Sequence, residues 1–325
     1  MFSLATLAHN HAELHGGSYS FILKAGDKEL SVALGKEMTI FEQPLFWAAI
    51  ALILLLADVW IIRLILKRQA RRIETKKEQE RIAGELNMAR EIQMNSLPQT
   101  FPAFPDRTEF DLFASMTPAK EVGGDFYDFF MIDSDHLALV IADVSGKGVP
   151  AALFMMTAKT LIRSELMTGR DPATTLQRVN LQLCERNYSS MFVTVWLAVL
   201  EISSGKGTAC NAGHEHPGVR RADGEYELLV YPHDMVVGAV KRAEYHNREF
   251  ELRSGDCVFV YTDGVPEATN AAEAMFGNER LIDALNQNAN ADPEELTHIV
   301  HEAVNRFVGD APQFDDITML CCRVN

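Results

Sequence analysis

At 325 residues, with 47% hydrophobic and 23% charged side chains, the chain exceeds one average domain and carries the apolar mass of a real core, which excludes a mainly disordered protein. A formal charge of -15 argues against nucleic acid as a partner, because a polyanion binder needs a basic face to release counterions; an acidic surface suits cations or basic partners instead. The five cysteines, Cys184, Cys210, Cys257, Cys321 and Cys322, contain no C-x-x-C pair, so neither a disulfide framework nor a zinc ribbon is indicated and a reducing compartment is implied.

Residues 1–43 are short and mixed. SYSFILKAGDKELSVAL has the alternation for a hairpin around Gly26-Asp27, and HNHAELH offers His9, His11 and His15 to a metal, although clustered histidines in a terminus more often bind nothing. The 23-residue run PLFWAAIALILLLADVWIIRLIL, residues 44–66, is long enough at ~1.5 Å per residue to cross a bilayer core of ~30 Å, with Trp47 and Trp60 suited to the interfaces. Asp58 is expensive in lipid. From Arg63 to Arg81 there are eight Lys/Arg against three Glu, whereas residues 82–325 hold 19 basic and 36 acidic side chains. That basic block predicts a single-pass helix in the inner cell membrane, with the N-terminus outside and the C-terminal part cytoplasmic.

Residues 67–97 are rich in strong helix formers until Pro98, Pro102 and Pro105. Ile82, Leu86 and Ala89 begin a heptad seam that Gln93 and Ser96 continue poorly, which predicts a juxtamembrane signalling helix that forms a homodimer. The alternative is a spacer helix that packs the same face on the following domain. Residues 98–325 then read as α+β. Strands are expected in FDLFASM, FYDFFMI, HLALVIADV, MFVTVWLAVLE, TACNAG, CVFVYTD and DITMLCCRV, and helices in PAALFMMTAKTLIRSEL, PATTLQRVNLQLCERN, NERLIDALNQN and PEELTHIVHEAVNRFV. Strands in hairpin-like succession with helices in pairs imply antiparallel sheets covered by helices.

Two nucleotide motifs fail on inspection. A P-loop ending in Gly146-Lys147 would need Gly at Ile141 and Ser or Thr at Gly148, and Gly123-Gly124-Asp125 is followed by Phe126 where a diguanylate cyclase has a second acid. What remains is a set of aspartates at strand ends: Asp125 and Asp128 around FYDFF, Asp143 closing LALVIAD, Asp263 closing CVFVYTD, and Asp315 and Asp316 before ITMLCC. One such residue is usually a turn former or a helix cap. Four recurrences can converge on one edge of a sheet core, where their repulsion calls for a hard divalent cation such as Mg²⁺ or Mn²⁺.

The strings AREIQMNSLP, EVGGDFYD, IADVSGKG, NAGH, YTDGVPEA, FGNERL and FDDIT, in this order, resemble the SpoIIE/RsbU-type branch of the PPM (PP2C-like) metal-dependent protein serine/threonine phosphatases over about residues 85 to 325. The resemblance implies an α/β/β/α four-layer sandwich of two antiparallel sheets, with two Mn²⁺ or Mg²⁺ ions at one edge. It makes Asp143 the ligand shared by both ions, assigns Asp125 and the Val144 carbonyl to one and Asp263 and Asp315 to the other, and leaves a metal-bound water as the nucleophile. The turn Ser145, Gly146, Lys147 and Gly148 becomes a regulatory switch ahead of the helix that Pro150 opens. Asp128 and Asp316 stay outside the metal set. His214 is read as a turn stabiliser ahead of a catalytic acid, and Glu215-His216 and Pro266 depart from the family pattern. A STAS-type phosphoprotein in a bacterial partner-switching pathway is the substrate the resemblance implies. The competing reading is a catalytically silent scaffold on the same fold.

Overall fold

The structure, a computed structural model, describes residues 19–25, 28–34, 44–185, 187, 189–222 and 224–325. It divides into two compact units, residues 1–81 and 82–325. His9, His11, His15 and the Gly26-Asp27 turn lie outside the described residues. In the first unit β1 (Tyr19–Ala25) pairs antiparallel with β2 (Lys28–Leu34), Ala25 facing Lys28 and Tyr19 facing Leu34, which is the register of a hairpin. Helix α1 (Pro44–Ser96) runs unbroken for 53 residues, and Leu52, Ile53, Leu54, Leu55, Leu56 and Trp60 are exposed along it. Among the described residues it is the one helix long and apolar enough to cross a membrane.

From Ile82 onward α1 belongs to the second unit. Leu86 and Ala89 are half-buried, Gln93 is buried, and Leu97 just beyond the helix enters the core with Met94 against it. The stripe expected to seam a dimer is thus spent within the chain from Leu86 on, while Ile82, Met88 and Ile92 stay exposed. A face repeating every three to four residues fits a partner helix or the chain's own domain equally well.

The remaining elements are β3 (Phe110–Thr117), β4 (Phe126–Met131), β5 (His136–Val144), α2 (Val149–Leu166), α3 (Pro172–Cys184), β6 (Val193–Glu201), β7 (Lys206–Ala212), β8 (Gly218–Arg220), β9 (Tyr226–Leu228), β10 (Arg248–Glu251), β11 (Cys257–Tyr261), α4 (Gly277–Gln287), α5 (Pro293–Val308) and β12 (Ile317–Val324). They form two five-stranded antiparallel sheets, ordered β10-β7-β6-β5-β4 and β3-β12-β11-β8-β9. Helices α2 and α3 cover the first sheet and α4 and α5 the second, while β12 packs against β4 and β5. The order is the expected α/β/β/α sandwich. Strand periodicity explains it: on β11, Val258 and Val260 join the core between the sheets, and Cys257, Phe259 and Tyr261 join the core under α4 and α5. A strand covered on both faces reads as a continuous apolar run, which is why CVFVY shows no alternation. Strands β8, β9 and β10 were not expected; at three to four residues each they are too short to carry a period.

Side-chain caps start two helices. Asp171 accepts from the Thr174 N–H ahead of Pro172, and Asp292 from the Glu295 N–H ahead of Pro293. Helix α2 starts without such a cap, and a buried ionic contact ties its middle to the sheet. Asp128 on β4, 1% exposed, receives Lys159 Nζ at 2.9 Å and Arg163 Nη1 at 3.0 Å. Lys159→Met should leave that carboxylate with one half-exposed guanidinium and cost ~3 kcal/mol in urea denaturation, against a smaller loss for Arg163→Met.

Candidate active site

Register places the aspartates. Phe126 of β4 pairs with Ala142 of β5, so Asp125 and Asp143, one step further along each strand, meet at the same sheet end. Tyr261 of β11 pairs with Met319 of β12, which brings Asp263 and the Asp315-Asp316 pair to one end of the second sheet. Close backbone approach fixes these loops: a Cβ on Gly264 would lie 1.9 Å from the Asp316 carbonyl oxygen, and one on Gly124 would lie 2.8 Å from the Val144 carbonyl oxygen. Asp125 and Val144, the two expected ligands of one ion, therefore sit on loops in contact.

The carboxylates act on one another. Asp125, 1% exposed, is pushed well above the usual carboxylate range by burial and by the charges of Asp143 and Asp316, although Thr262 Oγ donates to its Oδ2 at 2.7 Å. Burial and the charge of Asp263 raise Asp143 to about 7. Burial and the charges of Asp315, Glu267 and Glu215 raise Asp263 to about 6. In this arrangement neutrality comes from a proton or from a cation, and an all-oxygen donor set of this kind suits a hard divalent ion. Among the described residues no three His, Cys, Asp or Glu side chains are grouped so as to hold an ion by themselves. A fit therefore needs backbone oxygen and water beside the carboxylates, and the Val144 carbonyl is placed to contribute.

Neighbouring residues divide into holders and bystanders. Asp315 pairs with Lys147 Nζ at 2.8 Å, and the same ammonium donates to the Phe314 carbonyl and lies 3.7 Å from the centre of the Phe314 ring. Asp316, whose charge acts on Asp125, is spent on the Ala119 and Gly124 N–H groups, each donating to it at 2.8 Å. The Ser145–Gly148 turn uses positive φ at Gly146 (88°) and Gly148 (77°), and Ser145 exchanges hydrogen bonds with the backbone of Phe192. His214 is buried, its Nδ1 lies 2.9 Å from Thr194 Oγ1, burial holds it down to about 3, and its backbone is clasped by Asn211, the contacts of a turn stabiliser. Cys210, Cys257, Cys321 and Cys322 are buried, which removes them as nucleophiles.

Three contacts have no counterpart in the sequence reading: Thr262 on Asp125, Lys147 on Asp315, and the charges of Glu215 and Glu267 on Asp263. Only position offered a signal for them. Thr262 stands beside Asp263, and Glu215 is one of the departures from the usual NAGH pattern.

The sequence pattern of the family described as Stage II sporulation protein E (SpoIIE) matches residues 133–325, and the chain belongs to that family. Asp125 lies just ahead of the matched segment. Protein IcfG of Synechocystis sp. is 33% identical over 263 residues, covering 73% of this chain and 41% of IcfG, so the chain spans less than half of that relative. Phosphoserine phosphatase RsbU of Bacillus subtilis is 27% identical over 248 residues, covering 75% of this chain and 71% of RsbU. The SiaA-PP2C domain of Pseudomonas aeruginosa shares the fold with a TM-score of 0.66 at 24% identity, covering 76% of this chain and 98% of that domain.

The raised carboxylates set a pH dependence. Asp143 titrates near 3.8 when unfolded and near 7 when folded, so across that window the folded state keeps a proton the unfolded state has lost, and stability falls as pH rises through it. Metal-free protein should melt at a lower temperature at pH 7.5 than at pH 5.5. Asp143→Asn should flatten the difference, and Mn²⁺ should raise the melting temperature more at pH 7.5, where protons do not compete; calorimetric melts with and without EDTA check all three.

Proposed function

We propose that this chain is a membrane-anchored, metal-dependent protein phosphatase that hydrolyses phosphoserine or phosphothreonine on a protein. The observation that carries the reading is the meeting of Asp125, Asp143, Asp263 and Asp315 at one edge of the sandwich, the first three held above the ordinary carboxylate range. Asp143 is the shared ligand in this proposal. Asp125 and the Val144 carbonyl belong to one Mn²⁺ or Mg²⁺ ion, and Asp263 and Asp315 to the other. When bound, two such ions acidify a water for in-line attack at phosphorus and neutralise the phosphoryl oxygens. The chain's own part is positional. Thr262 orients Asp125, the Gly264 close approach holds the Asp263 and Asp316 loops together, and Lys147 must give up Asp315 to an incoming cation.

Val149 and Leu153 at the start of α2, Phe192 bonded through its backbone to Ser145, and Phe314 against Lys147 are exposed around the switch turn. Apolar side chains left in water there favour a protein substrate over a small phosphate ester. Kinship with RsbU-type phosphatases supports a STAS-type phosphoprotein in a partner-switching pathway as that substrate. Helix α1 supports the membrane anchor, with the phosphatase unit on the side of its basic flank. The exposed stretch of α1 up to Ile82 is the part left for homodimer contact. A silent scaffold would have no need to gather four carboxylates at one edge, one of them fully buried.

Purified protein with Mn²⁺ should hydrolyse p-nitrophenyl phosphate and release phosphate from a phosphoserine-bearing STAS protein, and EDTA should stop both. Asp143→Ala and Asp263→Ala should each reduce the rate by at least ~100-fold. Activity that survives both substitutions sinks the assignment.

A further inference from the structure

Helix α1 buries one side chain completely among the described residues, and that side chain is polar: Gln93, 3% exposed. Its carboxamide is spent on the backbone of a single residue, Gly123, 30 residues away. Gln93 Nε2 donates to the Gly123 carbonyl at 2.7 Å, and the Gly123 N–H donates to Gln93 Oε1 at 3.1 Å. Two antiparallel bonds between planar groups fix orientation as well as distance, as in a strand pair. Asp125 follows two residues later on the same loop.

The loop is held from its other side by Asp316, which accepts the Ala119 and Gly124 N–H groups. It has no slack between the two. A Cβ on Gly123 would lie 2.3 Å from Asp316 Oδ2 and 2.8 Å from the Met116 methyl carbon. The placement of Asp125 therefore rests on a carboxylate from the β12 side and an amide from α1.

Stability alone does not explain a glutamine here. Met94 and Leu97 already seat this end of α1 in the core, and an apolar side chain at 93 would bury without the desolvation of an amide. Both polar atoms of a fully buried Gln93 end on the loop that carries Asp125, which is what a residue chosen for position looks like. We infer that Gln93 is a positioning residue: through its paired bonds to Gly123 it sets where Asp125 stands, and so the cation affinity of the site. The inference rests on the metal-dependent reading above. With the amide ~6 Å from the helix axis, a ~10° rotation of α1 displaces it by ~1 Å, enough to spoil both bonds.

The test compares full-length wild type, Gln93→Met, Gln93→Glu and the exposed neighbour Ile92→Ser in detergent. Three quantities are read: Mn²⁺ affinity by titration calorimetry, metal-free melting temperature, and amide exchange at residues 122–125. Gln93→Met, which keeps the length and removes both bonds, should weaken Mn²⁺ binding to the folded protein ~10-fold and speed exchange at Gly123, with a lower metal-free melting temperature because the buried Gly123 N–H and carbonyl lose their partners. Gln93→Glu keeps the acceptor for the Gly123 N–H, loses the donor, and should also bind Mn²⁺ more weakly; it decides the matter if Gln93→Met does not fold. Ile92→Ser should match wild type. Wild-type Mn²⁺ affinity in the Gln93 variants overturns the inference alone. A wild-type protein that binds no Mn²⁺ overturns the phosphatase reading and this inference with it.

Discussion

Like-charge repulsion among Asp125, Asp143, Asp263 and Asp315 is the constraint around which the rest of the structure is organised. Strand register brings them to one edge, and burial then denies them the water that would screen them. Each local arrangement answers part of that cost. A threonine hydroxyl serves Asp125, a backbone N–H serves Asp263, a lysine serves Asp315, and a proton near neutral pH serves Asp143. In the proposed function divalent cations answer the remainder. In this view the acidities shifted toward pH 7 and the metal dependence are one fact, because a site that binds a dication must first hold carboxylates in a place where they are uncomfortable without it.

The same constraint explains why so many neighbouring residues are clamps and not chemical groups. Asp316 and Gln93 grip the loop ahead of Asp125 from opposite sides, Gly264 lets two acidic loops touch, and Asp128 fastens α2 through Lys159. Helix α2 begins at the glycine turn that follows Asp143 and Val144, so its attachment to β4 and the pairing of Lys147 with Asp315 bear on the same few residues. The turn itself joins β5 to α2 and makes its bend with two positive-φ glycines.

Much of this was legible in the letters. An apolar run that ends in aspartate is visible wherever it occurs, and CVFVYTD and LALVIAD, with the aspartates that open FYDFF and ITMLCC, point to one edge of the sandwich. Helix starts at Asp171-Pro172 and Asp292-Pro293 are equally local signals. Strands β8 to β10 were not legible because their pairing depends on longer neighbours and not on their own pattern. Gln93 was visible only as a flaw in a heptad, since a hydrogen bond to Gly123 across 30 residues leaves no mark near either partner. The linker stripe is ambiguous for a related reason: a face that repeats every three to four residues does not say whether another chain or its own domain will cover it.

The account stands or falls on whether divalent cations occupy this edge. Anomalous diffraction at the manganese edge from crystals of the phosphatase unit grown with Mn²⁺ asks that directly. Two peaks ~3.5–4 Å apart, with Asp143 between them and Asp125 and Asp263 on opposite sides, are the predicted result. No peak within reach of Asp143 at millimolar Mn²⁺, or a peak held by other residues, would contradict it.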